Sequence, residues 1–408
     1  MRERHSTIPA ARLEVPSGAN PAPGNLLSDN RLRNALFLNT ALNVLTFTCF
    51  FGARLILPLY ALERGAPVYA IGLLAALLWV FPLLMAWPVG RLADRHGPHR
   101  LLALGFASSA TGALVPFLVD AIPALYCSAL LFGLSIAFSD SVQQGVVAQL
   151  STPETRTRNV AHYTLFGGAT TFTGPLLGGL AIDQAGHALA CLMLIALPVS
   201  GALLLVLFGR LLPGPKSGSA TSGRAPMQRG PAVWRLLWLS GVAQLGQDMF
   251  QFFLPVYGHS IGLSASASGS ALALLAAAAF AIRSLLMRLV ARFGDAQLLA
   301  GALMLEALCF ALLPWMESAG AIMVVCFMFG LGSGCASPLT LLLTMNRAPE
   351  GRMSETVGLR LTFNNLVKLI GPAALGAVAS AAGFPMMFGL NAALMFYAGV
   401  LSRRSAER

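Results

Sequence analysis

The strongest constraint on this chain's fold is a succession of apolar runs, each about 20 residues long and nearly free of charge. They fall near 35–60, 69–89, 101–119, 122–149, 160–182 and 187–209, then near 235–257, 268–287, 298–315, 320–345, 357–380 and 384–401. Hydrocarbon offers a backbone amide no hydrogen-bond partner, so a segment buried in lipid must be a helix or part of a closed barrel. Barrel strands alternate polar and apolar residues over about 10 positions, and these runs do not alternate. Only 11% of the residues are charged, against about 25% in soluble domains, and the mean hydropathy is +0.71. The expected fold is an all-α membrane protein with twelve transmembrane helices, its solvent a lipid bilayer.

Basic residues set the orientation, because Lys and Arg concentrate in cytoplasmic loops. With the N-terminus inside, 22 of the 27 Lys and Arg lie in cytoplasmic tails, loops or helix edges. Arg64 faces outside, and Arg54, Arg283, Arg360 and Lys368 lie within spans. Both termini are therefore expected in the cytoplasm. The net charge of +11 is scattered in short runs rather than gathered on one face, so no nucleic-acid partner is expected. Residues 1–34 are polar, contain Pro16, Pro21 and Pro23 and lack the apolar core of a signal peptide; they read as a disordered cytoplasmic tail. Residues 402–408 form a second tail. The Gly/Pro/Ser-rich stretch 210–234, with Arg210, Lys216, Arg224 and Arg229, reads as a flexible cytoplasmic linker. The six cysteines fall inside spans without a Cys-x-x-Cys pair, which points to packing rather than metal or redox chemistry. No metal is expected at His96-x-x-His99 either, and no cofactor. Two lysines against 25 arginines suggest a GC-rich bacterial genome, hence a bacterial inner membrane; the chain is taken as a monomer.

An internal repeat organises the spans at an offset of 197 residues. Leu57-Pro58-Leu59-Tyr60 with Gly65 and Gly72 matches Leu254-Pro255-Val256-Tyr257 with Gly262 and Gly269. Arg91-Leu92, Arg95, Gly97 and Leu101-Leu102 match Arg288-Leu289, Arg292, Gly294 and Leu298-Leu299. Phe132-Gly133-Leu134 matches Phe329-Gly330-Leu331, Gly174-Pro175 matches Gly371-Pro372, and Gly186 matches Gly383. One offset linking four spans of each set predicts two pseudo-symmetric six-helix bundles, 35–209 and 235–401, related by an axis along the membrane normal.

Between spans two and three, Gly90-Arg-Leu-Ala-Asp94-Arg95-His-Gly97-Pro-His-Arg100 resembles the signature loop of the major facilitator superfamily, Gly-x-x-x-Asp-(Arg/Lys)-x-Gly followed by basic residues. Pro98 and His99 stand where two basic residues are usual, and Ala291 replaces the acid in the second copy. Span five carries Gly174-Pro175-Leu-Leu-Gly178-Gly179, which resembles the core of a motif associated with that family's proton-driven exporters; Thr170 occupies the place of its upstream glycine. The resemblance covers about 35 to 401. It implies an alternating-access transporter of the drug or metabolite efflux branches, with Gly90, Asp94, Arg95, Gly97 and Arg100 as a cytoplasmic gating loop. For Gly174, Pro175, Gly178 and Gly179, close helix packing accounts for the residues as well as gating does.

An ionisable group inside a span is costly and marks function by default. At ~1.5 Å per residue, Asp248, Glu306 and Lys368 fall near mid-membrane, Arg54 lies outward of the middle and Asp140 inward. The resemblance implies that spans one, four, seven and ten, with faces of two, five, eight and eleven, line the cavity, which gives Arg54, Asp140, Asp248 and Lys368 access to solute. Asp248 and Lys368 match in depth and are expected to pair. Asp140 and Asp248 are the candidate proton-coupling carboxylates, since a carboxyl alternating between burial and a facing cation binds and releases a proton. Gln143, Gln144, Gln244, Gln247, Gln251 and Asn364 are candidate cavity groups. Glu306 is expected on a peripheral helix, facing a neighbour. Arg283 and Arg360 lie near the cytoplasmic helix ends and are expected to snorkel.

The leading functional reading is proton-coupled export of a small molecule (a drug, metabolite or siderophore-like compound). A second is proton-coupled uptake of a small organic anion received by Arg54 and Lys368, and a third is a transport-dead sensor on the same fold. No Gly-x-Ser-x-Gly, His-Glu-x-x-His or Gly-Lys-(Ser/Thr) motif occurs, so neither a membrane enzyme of those types nor a self-contained ATP-driven pump is expected.

Overall fold

The computed structural model describes residues 23–85, 88–152, 155–214, 231–346 and 353–406, and among these there is no strand. The helices are α1 (Pro23–Glu63), α2 (Val68–Leu77), α3 (Val80–Met85), α4 (Pro88–His96), α5 (Pro98–Leu118), α6 (Ile122–Gln149), α7 (Arg156–Leu194) and α8 (Ala196–Phe208). After residues 215–230, outside the described part, come α9 (Pro231–Ser260), α10 (Ala265–Phe293), α11 (Asp295–Leu312), α12 (Ala319–Asn346) and α13 (Met353–Ala406). Among the described residues, nine stretches are long and apolar enough to cross a membrane. Two of them, within α7–α8 and α13, are each a pair of helices broken at Gly186 (φ 78°) and Gly383 (φ 81°). α9 is not among the nine; it is 30 residues long but carries Gln244, Gln247, Asp248 and Gln251. Splitting the two broken stretches and adding α9 gives twelve helical segments, so both described ends lie on one face, here called the terminal face; the opposite one is the far face.

Several boundaries differ from the sequence expectation. α1 starts at Pro23 rather than near 35, because proline at a helix start forgoes only an N–H that would have had no intrahelical partner. Residues 23–34, read as tail, are helical; 1–22 lie outside the described residues. α9 likewise begins at Pro231, inside the expected linker, and α13 runs to Ala406. The signature segment is no loop: α4 carries the helix through Gly90 and Asp94 to His96, and the chain turns only at Gly97 (φ 79°). The side chain of Asp94 lies outside the described residues.

The repeat is visible in the backbone. All six positive-φ glycines form pairs 197 residues apart: Gly65 with Gly262, Gly97 with Gly294, and Gly186 with Gly383. The packing repeats too. A methyl group placed on Gly133 would stand 2.6 Å from the carbonyl oxygen of Leu78, and one on Gly330 would stand 2.3 Å from that of Leu275. Between the halves, Gly72 lies against Pro372 and Gly376, while the symmetric Gly269 lies against Pro175 and Gly179. The close approach of these backbones, α2 to α13 and α10 to α7, joins the halves toward the far face through small residues, as membrane helices pack. On the terminal side, a methyl group placed on Gly145 or Gly358 would have none of the described residues within 4 Å.

Candidate functional site

Arg54 of α1 and Asp248 of α9 meet between the halves. Arg54 Nη2 donates to Asp248 Oδ1 at 2.7 Å, and the residues are 7% and 2% exposed. Arg54 lies nine residues from Glu63 and Asp248 twelve from Ser260, at the ends of their helices; this offset of ~4.5 Å is one an extended arginine spans. The expected pairing of Asp248 with Lys368 is therefore corrected: the longer side chain reaches it from the other half. Asp248 Oδ2 has no hydrogen-bond partner among the described residues. Lys368 instead places Nζ 3.9 Å from the Trp79 ring centroid. The Arg54 guanidinium stands 5.9 Å from the same ring and 6.0 Å from Phe50. Both cations thus share the negative face of one indole, and Trp79 itself packs edge-on against Phe50.

On the other side of the pseudo-two-fold axis, Ala276 stands in the place of Trp79 and Thr171 in the place of Lys368. The space so released is a shallow cleft with a volume of about 70 Å³, lined by Arg54, Thr171, Gln247, Gln251, Ala276 and Arg283 among others. Among α9, α12 and α13 a closed gap, too tight for a water molecule, is lined by Ser240, Gln244, Gln247, Ser333, Thr340 and Arg360 among others. Gln247 borders both. Of the amides expected to line the pathway, Gln247 and Gln251 border the cleft, while Gln244 borders only the closed gap.

Polar ties hold each half together. In the first, Asn43 Nδ2 donates to Gln143 Oε1 (2.9 Å) and Tyr163 Oη (2.7 Å), and Asn39 Nδ2 donates to the Gln143 carbonyl (3.2 Å). Gln143 is thus buried inside the first half rather than facing a cavity. In the second half, Arg360 Nε donates to Ser240 Oγ (2.7 Å), while its Nη2 donates to Thr340 Oγ1 (3.0 Å) and the Ser337 carbonyl (3.4 Å). Ser240 Oγ in turn donates to Asn364 Oδ1 (3.1 Å), which takes Asn364 out of the open pathway. Arg360 does not snorkel: it is 6% exposed, because hydroxyls one helix away replace the water it would have sought. Arg283 has an exposed side and donates from Nε to the Gly334 carbonyl at 3.4 Å.

Asp140 accepts a hydrogen bond from Gln144 Nε2 at 2.7 Å and pairs with no cation among the described residues. Gln144 itself is exposed, as are Arg95 and Arg100. Glu306 is fully buried on α11, has no partner for either oxygen and borders none of the cavities above; its Cγ would stand 2.9 Å from a methyl group on Gly332 of α12. The span-five motif serves packing. Gly174 lies against Thr48 and Gly52 of α1, Gly178 against Gly52, and Gly179 against Ala265 and Ser266 of α10, where Pro175 also meets Gly269.

At the far face the halves are joined by a carboxylate. Asp183 of α7 accepts from Ala265 N (3.2 Å) and Ser266 N (3.0 Å), the first backbone donors of α10. Nearby, within the first half, His187 pairs with Glu63 at 2.6 Å, Tyr60 donates to Asp120 at 2.7 Å, and Arg64 pairs with Asp120.

The sequence signals missed Trp79, Asn39, Asn43 and Tyr163, and dismissed Arg360. A lone polar group in a span is ambiguous. The 197-residue offset would have exposed Arg360, since it pairs this cation with the neutral Tyr163.

Two pseudo-symmetric helical bundles, joined at one face and enclosing a charged interior, are the architecture of a multi-pass membrane transporter rather than of an enzyme. The family model described as Major Facilitator Superfamily matches residues 36–372, and the chain belongs to that superfamily. It is 27% identical over 252 residues to Solute carrier family 67 member A1 of Homo sapiens, a match covering 59% of this chain and 57% of that one. The chain thus spans little more than half the length of the human relative. It is 25% identical over 328 residues to the uncharacterized MFS-type transporter YuxJ of Bacillus subtilis (strain 168), covering 76% and 81% of the two chains. Among solved structures, a peptide transporter POT in complex with sulfate superposes with a TM-score of 0.77 at 17% identity over 92% of this chain and 94% of that one. A POT family transporter in complex with 5-aminolevulinic acid gives 0.76 at 12% identity, over 90% and 95%. At such identities these structures speak to the fold alone.

Proposed function

We propose that the protein moves a small organic anion together with a proton, by alternating access. The observation that carries this reading is the buried Arg54–Asp248 pair between the halves, beside a Lys368 that lies over an aromatic face and makes no direct ion pair among the described residues, Asp248 and Asp140 acting on it from further off. An anionic group arriving at Arg54 and Lys368 competes with Asp248 for the arginine. A buried carboxylate without its cation is costly enough to take up a proton instead, so anion and proton load together. Unloading on the other side restores the pair. With protons entering the cell down their gradient, the net movement is uptake. Both termini and the terminal face are assigned to the cytoplasm from the arginine distribution, in a bacterial inner membrane, with halves 35–209 and 235–401 moving against each other and Asp94 serving the gating segment.

The test is flux in proteoliposomes under an imposed pH gradient, with labelled mono- and dicarboxylates as probes. Gradient-driven accumulation is expected, with loss of the pH dependence in Asp248→Asn and loss of transport in Arg54→Gln. Full proton-driven flux in Asp248→Asn combined with Asp140→Asn would sink the coupling scheme, and binding without flux would favour a sensor.

A second reading is proton-driven export of a drug, metabolite or siderophore-like compound, favoured by the Gly174-Pro175-Leu-Leu-Gly178-Gly179 resemblance. The packing that these residues make against α1 and α10 accounts for them without antiport. The direction of flux in inverted vesicles separates the two.

A further inference from the structure

Between the ends of α1 and α7 at the terminal face lies a cavity of about 660 Å³, lined by Arg33, Phe37, Thr40, Arg158, His162 and Phe166 among others. It is far roomier than the central cleft and falls in the ~300–1,000 Å³ range of small-molecule sites. The repeat explains why it is open. In the second half the same place is filled: Leu237 is buried, and Leu359 and Phe363 pack against it. There the Phe363 ring lies over Gly241, 2.5 Å from a methyl group placed on that glycine. The counterparts 197 residues earlier are Thr40, His162, Phe166 and, for Gly241, Val44. A ring seated like that of Phe363 would meet the Val44 side chain, so Phe166 stays exposed. Polar Thr40 and His162 replace the two leucines that close the gap.

The cavity is also charged with one sign. Arg33, Arg158 and His162 form no ion pair among the described residues, and none of the described residues lining the cavity is acidic. Their counterparts in the repeat are Gly230, Glu355 and Leu359, so this cluster of bases belongs to the first half alone. Orientation in the membrane asks for basic residues at this face, but it does not ask for a cavity between them. The rest of the wall is apolar. Phe37 and Phe166 are exposed, and the exposed Leu177 and Leu180 continue the face of His162 and Phe166 along α7 at helical spacing. Bases at the mouth and an apolar strip running on into the span match the headgroup and acyl chain of a phospholipid. Basic pockets between membrane helices are where anionic headgroups bind.

We propose that this cavity binds a phospholipid with an anionic headgroup, drawn from the leaflet at the terminal face. Its phosphate lies between Arg33 and Arg158 with His162 beside them, and an acyl chain follows Phe166, Leu177 and Leu180. The site is separate from Arg54, Asp248 and Lys368 and does not depend on which solute is carried.

Native mass spectrometry of the purified full-length protein counts bound phosphatidylglycerol and phosphatidylethanolamine as each is titrated in. One saturable phosphatidylglycerol, held more tightly than phosphatidylethanolamine, is expected. Arg33→Gln combined with Arg158→Gln should weaken it about 10- to 30-fold, since each base near an anionic headgroup contributes a factor of about 5. Arg288→Gln combined with Arg292→Gln removes the same charge from exposed positions on α10 that border none of the cavities above, and should change nothing. Thr40→Leu combined with His162→Leu copies the filled second half and leaves both arginines in place. It should abolish binding, and it keeps the test open should the arginine variants fold poorly. Equal affinity for the two lipids, or equal loss in the two pairs of arginine variants, overturns the site in favour of attraction spread over the whole face. Binding that survives filling of the cavity, or is absent from the unaltered protein, overturns it as well. Displacement of phosphatidylglycerol by glycerol 3-phosphate at matched concentration assigns the cavity to a soluble phosphate ester and overturns the lipid.

Discussion

Asp183 is the side-chain link that the far face must break in order to open. Its carboxylate caps α10 of the opposite half by accepting from Ala265 N and Ser266 N at 3.2 and 3.0 Å. The negative charge also faces the positive end of that helix. Replacing it by Ala removes both bonds, but α10 keeps its own cap, because Ala267 N donates to Ser264 Oγ at 3.1 Å. Asp183 is also exposed, so water can satisfy the released N–H groups. The loss is therefore that of one ordinary cap, about 1–2 kcal/mol, and it falls only on the state in which this face is closed. That corresponds to a factor of about 5–30 in the ratio of closed to open molecules. Spin labels on the far-face ends of α7 and α10, after the exposed Cys127 is replaced by Ser (the other five cysteines are buried), would read that ratio as a distance distribution. Asp183→Ala should move weight to the longer distance, and Asp183→Asn, which keeps one acceptor oxygen, should move less. An unchanged distribution in Asp183→Ala refutes the view that this carboxylate holds the face shut.

Further outcomes follow from the same geometry. Arg54→Gln and Asp248→Asn should each destabilise the purified protein by about 3–5 kcal/mol, because each strands a buried charge, whereas the double variant should lose much less than the sum; unfolding curves of all four proteins check this. Gly72→Leu and Gly269→Leu would drive side chains into carbonyl oxygens that already stand 2.4 and 2.5 Å from a placed methyl group, so the spin-label distances should show a far face that no longer closes. Trp79→Leu should cost about 0.5–2 kcal/mol through lost cation–π contact and weaken binding of the transported anion. Glu306→Gln should leave proton-driven flux unchanged, since neither oxygen has a partner and the residue borders no described cavity; abolished flux would put Glu306 in the proton path.

Helix number and symmetry were legible because both rest on local or repeated signals. Apolar length dictates a span in lipid, and a single offset recovers Gly65 with Gly262 and Gly186 with Gly383, where the backbone needs a positive φ. Pairing between spans was less legible. Depth alone matched Asp248 with Lys368, but depth says nothing of which way a side chain leaves its helix or how far it extends. Position near a helix end likewise suggested that Arg360 reaches water, although Ser240 and Thr340 on neighbouring helices supply its partners. The signature segment looked like a loop because it is charged, yet α4 remains helical to His96.

The pattern of symmetry and its loss carries a mechanistic argument. The contacts that join the halves toward the far face obey the pseudo-two-fold: Gly72 on Pro372 repeats as Gly269 on Pro175. A symmetric seal lets the two bundles rock without preferring one partner helix over the other. The charged interior does not obey it. Arg54 faces Gln251, Lys368 faces Thr171, Trp79 faces Ala276 and Arg360 faces Tyr163 across the repeat. At the last of these positions each half makes its own tie: Asn43 donates to Gln143 and Tyr163 in the first, Arg360 donates to Ser240 and Thr340 in the second, and only the contact between positions 43 and 163 recurs, as 240 with 360. The first half thus ties α1 to α7 with neutral side chains where the second ties α9 to α13 through a charge. Arg360→Tyr, which copies the symmetric residue, tests the charge's part in packing: unfolding curves should show a loss of stability, and an unchanged midpoint would show that a neutral tie suffices in the second half too.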